Sequence, residues 1–356
     1  MQDFIVIGGG MAGISAAARL ADLGSVTLLE MEDALGYHSS GRSAALFEEN
    51  YGHGPTIDLN RASAAYLREN GYLSPRGLML VGAKDDGAGF ARDVDELGMA
   101  TLELEEALAM VPILNPGTVG YTAISGAAED IDTDRMLQDF AKALRAVGGR
   151  TVTKAPVTAI TRIQDGWEVT AGGQTYQARQ LVNAAGAWAD QVAALAGVAA
   201  IGLQPKRRSM ARLPAPGGHD VSGWPMLLGV GETWYAKPDA GKLLVSPADT
   251  GLVDPHDAYA DDMVLAEGLA RYEEMVTEPV TRVESSFAGL RSFVRDGTLV
   301  LGPDPDQPDF IWCAGQGGYG IMTAPAASQL IADLVAGRAP VLDADTVAAL
   351  SPARLR

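Results

Sequence analysis

A cluster of glycines near the amino terminus constrains the fold of this chain more than any other feature. The segment FIVIGGGMAGISAAARL contains four apolar residues, then Gly8, Gly9 and Gly10, then an alanine-rich amphipathic stretch. This order predicts a strand, a tight turn and a helix. Gly8, Gly10 and Gly13 match the pattern G-x-G-x-x-G. In that pattern the first glycine permits the turn, the second admits a pyrophosphate and the third lets helix and strand pack closely.

The residues that follow complete a dinucleotide-binding unit. Free N–H groups at the start of the helix, at Met11 and Ala12, favour an anion there. A second predicted strand, Val26 to Leu29, leads into Glu30, about 20 positions after the first glycine, where an acid suits a ribose hydroxyl pair. The sequence therefore predicts a strand, helix and strand that bind a dinucleotide.

Charge and cysteine content exclude several other classes of function. The chain of 356 residues has 27 Lys plus Arg against 45 Asp plus Glu, a net charge of −18. That charge argues against nucleic acid and anionic membranes as partners. The single cysteine, Cys313, excludes an internal disulfide, and its place in a predicted strand indicates a buried apolar thiol. The four histidines have no metal-ligand spacing, so no metal site is predicted.

The first residues and the apolar segments bear on location. Met1 to Asp3 leads directly into the first predicted strand without a basic segment, which predicts no signal peptide and a cytoplasmic protein. The most apolar stretch, 184–203, carries polar residues and glycines and is interpreted as a buried helix with loops. No transmembrane segment is predicted.

The rest of the chain alternates helical and strand-like segments. We predict helices from Pro55, over Phe90 to Leu108, and after an N-cap at Asp132 or Thr133. Short strands separated by proline and glycine follow from about residue 201. The predicted fold class is α/β, a Rossmann-like domain with a second α+β domain on a mainly antiparallel sheet. The first domain comprises 1–75, 128–200 and 288–356, and the second comprises 76–127 and 201–287.

A second glycine cluster, Gly315 to Gly320, also matches G-x-G-x-x-G after a predicted strand. Too little chain follows it to build a second dinucleotide-binding unit. Two interpretations remain. The turn could face the ring of a flavin whose pyrophosphate lies at the first cluster, or its glycines could only pack a helix against the strand.

Seven motifs occur in one order along nearly the whole chain: GYHSSGRSAAL, DIDTD, LVNAAGAWAD, LQPKRRS, YAKPDAG, GLRSFVRDG and GQGGYGI. In these the chain resembles the D-amino-acid oxidase-like flavoprotein superfamily, and more closely bacterial D-arginine dehydrogenase-type enzymes. The resemblance implies non-covalent FAD and a substrate domain whose sheet covers the flavin. The cofactor residues it implies are Gly8, Gly10, Met11, Ala12, Gly13, Glu30, Ser39, Ser40, Arg42, Ser43, Ala44, Val157, Ala185, Gly186, Trp188, Gly289, Gly318, Gly320 and Ile321.

The resemblance also implies a substrate site. It places Tyr51, Tyr235 and Arg291 around the carboxylate of the substrate, which an arginine fork binds through two charge-assisted hydrogen bonds. Arg208 is a further candidate, although with its basic neighbours it could instead form a solvated face.

Four residues bear on the substrate's side chain. Leu46, Leu78 and Met322 replace polar residues of arginine-specific relatives, so a neutral or hydrophobic side chain is favoured. Glu48 could supply a negative charge from another wall of the pocket, so a basic D-amino acid remains an alternative substrate.

The implied reaction is FAD-dependent oxidative deamination of D-amino acids to 2-oxo acids and ammonia, by hydride transfer from Cα to flavin N5. Tyr51, Tyr235 and Glu48 are candidates to accept the proton of the substrate amine. Alternatives are oxidation of N-methylated or cyclic amino acids, oxidation of 2-hydroxy acids, an NAD-dependent dehydrogenase and a non-catalytic flavin-binding protein. The electron acceptor, oxygen or a quinone, is left open.

Overall fold

The computed structural model of the protein covers residues 1–356. Nineteen strands form three sheets. In chain order the strands are β1 Gln2–Ile7, β2 Val26–Leu29, β3 Leu46–Phe47, β4 Leu73–Pro75, β5 Leu78–Ala83, β6 Ala100–Leu102, β7 Val119–Ser125, β8 Glu129–Ile131, β9 Arg150–Val152, β10 Val157–Ile163, β11 Gly166–Ala171, β12 Gln174–Asn183, β13 Gln204–Leu213, β14 Met226–Gly229, β15 Tyr235–Asp239, β16 Lys242–Ser246, β17 Ser285–Phe293, β18 Val300–Pro303 and β19 Phe310–Ala314.

Nine α-helices connect these strands. They are α1 Met11–Leu20, α2 Pro55–Glu69, α3 Gly87–Leu97, α4 Leu104–Met110, α5 Thr133–Ala146, α6 Ala189–Leu195, α7 Asp262–Glu274, α8 Ala324–Ala336 and α9 Ala344–Leu350. The predicted start at Pro55 is confirmed, and Asp132 caps α5 by accepting a hydrogen bond from the N–H of Arg135. No helix combines the length and the apolar character needed to cross a membrane.

The first sheet contains the predicted dinucleotide-binding unit. Its strands run in the order β10-β11-β12-β1-β2-β9, and β19 pairs with β12 and β18. β12, β1, β2 and β9 are parallel, and every residue from Phe4 to Ile7 is buried, as expected for a strand covered on both faces. Helices α1, α5 and α8 pack on one face, and an apolar cluster that includes Trp167 and Trp312 covers the other.

The second sheet has the order β17-β13-β16-β15-β14-β5-β7-β6. It is antiparallel except where β14 runs parallel to β5, which agrees with the mainly antiparallel sheet predicted for the second domain. A small third sheet has the order β3-β8-β4. Its strands lie in segments of the chain that connect the first sheet with the second. The predicted mixed α/β fold class is confirmed.

One helix differs from its prediction, and one predicted domain boundary lies within a strand. The single helix predicted over Phe90 to Leu108 is wrong, because Gly98 ends α3 in a left-handed conformation (φ +63°) and β6 then pairs with β7 before α4 begins. The predicted boundary between residues 287 and 288 falls inside β17, which pairs with β13 along its whole length. We therefore propose that the second domain extends to Phe293.

Candidate active site

The first glycine cluster packs as the dinucleotide pattern requires. A Cβ atom placed on Gly13 would lie 1.9 Å from the carbonyl oxygen of Gly8, and one placed on Gly8 would lie 2.3 Å from that of Ala184. Gly8 also has φ +106°, which side chains rarely tolerate. These two glycines therefore serve the close contact of α1 with β1 and β12.

Gly10 serves a different purpose, because it borders a cavity of about 290 Å³ between the two large sheets. A Cβ atom on Gly10 would have only the Ser40 hydroxyl nearby, at 3.2 Å. The Ser40 hydroxyl accepts a hydrogen bond from the N–H of Met11 (2.9 Å) at the start of α1. The first turn of α1 leaves N–H groups without helical acceptors, so this end of the cavity suits the pyrophosphate of a dinucleotide.

Glu30 lies at the end of β2 and is 7% exposed. Its carboxylate accepts hydrogen bonds from the N–H of Gly9 (2.6 Å) and of Glu32 (2.8 Å). Each oxygen keeps a lone pair that a ribose hydroxyl could donate to. The glycine turn, the helix start and this acid together fit the adenosine half of FAD.

The structure brings the predicted cofactor residues together. All of them line this cavity except Gly13, which lies behind the turn in contact with Gly8. The guanidinium of Arg42 donates to the carbonyl oxygens of Ala258 and Ala288 and to Asp257, so it is committed to protein partners. The Ser39 hydroxyl donates to the carbonyl of Leu290 (2.7 Å). These bonds attach the loop after β2 to the second sheet.

The sequence prediction missed His38 as a cavity residue. Its ring lies 4.7 Å from that of Trp188, centroid to centroid, and its Nε2 lies 2.9 Å from a carboxylate oxygen of Glu32. It lies inside the motif GYHSSGRSAAL, so its position beside two predicted serines was the available signal.

A second cavity of about 80 Å³ adjoins the first. The two share Ser43, Ala44, Tyr235, Arg291, Gly318 and Ile321. All predicted substrate residues line the smaller cavity except Arg208, which lines the larger one. The predicted ligands of the cofactor and of the substrate therefore meet at one shared wall.

Two arginines converge at this wall because of strand register. Arg208 on β13 lies directly opposite Gly289 on β17, and Arg291 lies two residues further along β17. Alternate residues of one strand and directly opposed residues of neighbouring strands share a face, so both guanidinium groups lie on the same side of the sheet. The Arg208 side chain is 8% exposed and that of Arg291 is 23% exposed.

The two predicted tyrosines differ in their contacts. Burial raises the pKa of Tyr51 above its ordinary value although Arg291 acts in the opposite direction, so its hydroxyl remains a hydrogen-bond donor. The Tyr235 hydroxyl contacts the sulfur of Met210 at 3.5 Å, and its ring lies 5.7 Å from the guanidinium carbon of Arg208. Tyr51 is thus better placed than Tyr235 to donate to an anion.

The anion position between these groups is held by Glu232, which the sequence analysis did not identify. Its carboxylate accepts hydrogen bonds from Arg208 (2.6 Å), Arg291 (3.2 Å) and the Tyr51 hydroxyl (3.3 Å). Partial burial would raise the pKa of Glu232, but Arg291 and Arg208 outweigh it and hold the pKa below its ordinary value. The only sequence signal was an acid in a glycine turn just before Tyr235.

The far end of the smaller cavity contains a second carboxylate, Glu48, which is 5% exposed. It accepts hydrogen bonds from the Ser125 hydroxyl (2.8 Å) and the N–H of Asn50 (3.3 Å). The neighbouring walls are apolar and include Leu46, Leu78 and Met322.

A buried lysine holds the backbone at Ala44, which borders both cavities, and at Ala45, which borders the smaller one. Lys237 on β15 donates to the carbonyl oxygens of Ala44 (2.5 Å) and Ala45 (3.1 Å), and its Nζ lies 2.8 Å from Asp130. Ala45 has φ +31°, a conformation that costs energy for a residue with a Cβ. The lysine thus stabilises the strained segment between the two cavities.

Replacing this lysine should destabilise the fold. We expect Lys237→Met to lower the free energy of unfolding by about 1–3 kcal/mol, because two carbonyl oxygens lose their donor. Lys242→Met is the control, since Lys242 is 41% exposed and pairs with Glu284 at the surface, where a loss below about 1 kcal/mol is expected. Urea unfolding measures both, and equal losses would contradict the role given to Lys237.

Cys313 lies in β19 and is 2% exposed, as predicted. Burial raises its pKa to about 12, which keeps the thiol protonated and unreactive. It is absent from the residues that line either cavity, which agrees with a packing role.

The fold and the two adjoining cavities define a flavin-dependent oxidoreductase. Residues 3–334 match the family described as DAO, FAD dependent oxidoreductase, and the chain belongs to this family. It is an FAD-dependent enzyme. The predicted superfamily is confirmed, whereas the closer likeness to D-arginine dehydrogenases remains a prediction.

Individual relatives agree on the fold and differ in substrate. Glycine oxidase of Bacillus licheniformis is 24% identical over 359 residues, covering 94% of this chain and 93% of that protein. L-2-hydroxyglutarate dehydrogenase of Escherichia coli K12 is 26% identical over 233 residues, covering 58% of this chain and 51% of that protein. The crystal structure of glycine oxidase from Geobacillus kaustophilus superposes with a TM-score of 0.83 at 22% identity, covering 98% of each chain.

Proposed function

We propose that this enzyme oxidises a D-amino acid with a neutral or hydrophobic side chain to the 2-oxo acid and ammonia. One observation carries the proposal: Arg291 and Tyr51 converge on an anion position in a cavity that shares a wall with the predicted flavin site. The D configuration rests on the motif resemblance. Glycine oxidase among the relatives supports an amino acid as the substrate.

In this proposal the chain's own residues mainly bind and orient. Arg291 and Tyr51 hold the carboxylate of the substrate, and the wall at Ala44 directs Cα toward the cofactor cavity. FAD held by the residues of the larger cavity would supply the hydride acceptor for oxidation at Cα, and water would release the 2-oxo acid and ammonia. The amine must lose a proton first, and Glu48, which lines the smaller cavity, is a candidate to accept it.

The preference for an uncharged side chain rests on the walls of the smaller cavity. Leu46, Leu78 and Met322 line it, together with Met226 and Leu228. An apolar side chain gains about 25 cal/mol for each Å² removed from water in such surroundings. A basic side chain would have Glu48 as its partner. Basic amino acids are therefore the substrates with which neutral and hydrophobic ones are compared.

Anaerobic reduction of the purified flavoprotein tests the proposal. D- and L-enantiomers of neutral, hydrophobic and basic amino acids are added separately, together with 2-hydroxy acids, and loss of the visible flavin absorption is followed. Faster reduction by neutral D-amino acids is the expected result. Reduction only by L-amino acids, by basic amino acids or by 2-hydroxy acids would contradict the proposal, and no reduction by any compound would favour a non-catalytic flavin protein.

A second measurement on the reduced protein identifies the electron acceptor. After reduction, the sample is exposed either to air or, still anaerobically, to a soluble quinone. Rapid recovery of the flavin absorption in air indicates an oxidase, and recovery only with the quinone indicates a dehydrogenase.

A further inference from the structure

We propose that Glu232 is an internal carboxylate that occupies the binding position of the substrate carboxylate, so that substrates must displace it and its presence sets the enzyme's affinity for them. The inference rests on the proposed function, because it takes a carboxylate as the group that anchors the substrate. It concerns a residue that none of the predicted roles included.

The contacts of Glu232 are those expected of a bound carboxylate. Both arginines that converge on the wall between the cavities donate to it, and the Tyr51 hydroxyl lies 3.3 Å from Oε2 and 3.4 Å from Oε1. Charge-assisted hydrogen bonds of this kind are the strong ones in proteins. An incoming carboxylate cannot take the Nη1 donors of the two arginines while Glu232 holds them.

The charge balance of the site explains why an internal anion is present. Arg208 and Arg291 lie on one face of neighbouring strands and are both largely removed from water. Two guanidinium groups in such a position repel each other unless an anion lies between them. Exchange of the Glu232 carboxylate for that of the substrate leaves the number of charges at the arginines unchanged.

The segment that carries Glu232 has an unfavourable backbone conformation. Glu232 has φ +53°, which is unfavourable for a residue with a side chain, and Gly231 before it has φ +68°. The Asp93 carboxylate accepts a hydrogen bond from the N–H of Gly231 (2.6 Å). In the proposal the segment between Gly229 and Thr233 rotates the glutamate away, while the hydrogen bond to Asp93 keeps Gly231 in place.

The test measures binding of acetate, which has a carboxylate but no amine and cannot be oxidised at Cα in this reaction. Perturbation of the visible flavin spectrum reports the Kd in the holoenzyme. For Glu232→Gln we expect the acetate Kd to fall by about tenfold or more, because an uncharged amide competes less well for the two arginines. Tighter binding of this kind is a result that simple damage to the fold would not produce.

Glu48→Gln provides the comparison, since it removes one negative charge from the same cavity without touching either arginine. A gain of less than about twofold is expected for this variant. Equal gains in both variants would assign the effect to the charge of the cavity and overturn the proposal. Weaker acetate binding in Glu232→Gln would overturn it as well, because Glu232 would then support the arginines rather than compete at them.

A third outcome separates competition from recognition of the substrate amine. If Glu232→Gln left acetate binding unchanged but weakened binding of amino acids, Glu232 would be a ligand of the ammonium group and the proposal would be wrong. Acetate binding requires no turnover. A chain that binds acetate as expected but is reduced by no amino acid would therefore refute the proposed function alone.

Discussion

Arg291→Met should weaken substrate binding by an amount that corresponds to roughly 2–5 kcal/mol while FAD stays bound. The variant removes the donor that β17 brings to the wall between the two cavities. Desolvation disfavours the charge of Arg291, but the oxygens of Tyr51, Tyr235 and Glu232 outweigh it and raise its pKa, so the wild-type donor stays charged at all ordinary pH values. The Kd for the reducing amino acid, obtained from the dependence of the rate of anaerobic flavin reduction on its concentration, gives the result.

Arg282→Met is the matched control for this prediction. It makes the same change of charge and shape, but the Arg282 side chain is 69% exposed and pairs with Glu284 at the surface. Its Kd should equal that of the wild type. An unchanged Kd in Arg291→Met, with bound FAD verified by its absorption, would remove Arg291 from the substrate site.

Gly10→Ala should lower the affinity for FAD by about tenfold or more while the apoprotein still folds. The backbone of Gly10 (φ −72°, ψ 179°) suits alanine, and the new Cβ meets only the Ser40 hydroxyl. The methyl group would thus extend into the cavity where the pyrophosphate is expected. Titration of apoprotein with FAD, followed by quenching of flavin fluorescence, measures the effect.

Two further glycine variants give this prediction its controls. Gly13→Ala should prevent folding, since its Cβ would lie 1.9 Å from a backbone oxygen. Gly126→Ala, at a site with no atom within 4 Å, should change neither folding nor FAD affinity. Normal FAD binding by Gly10→Ala would show that the pyrophosphate does not approach this turn.

Much of the cofactor site could be predicted because its signals are local. Four features follow one another within the first 30 residues: the apolar run of β1, the glycine turn, α1 and β2. The turn requires backbone conformations and close contacts that few residues other than glycine allow. The same local reasoning failed at Gly98, where helical periodicity continued beyond a glycine that ends the helix. The motif resemblance supplied the more distant members of the lining, such as Val157 and Gly289.

The sequence by itself determined the mixed α/β fold, the glycine turn and the acid that follows it, because these depend on residues near one another in the chain. Only the tertiary structure decided that Glu232 meets Arg208, Arg291 and Tyr51, which are 24, 59 and 181 positions away. Such contacts depend on the register of β13 and β17 and on the position of the turn that carries Glu232. The alternation along each strand fixes which face a side chain takes. Which distant strands become neighbours is decided only by the packing of the whole sheet.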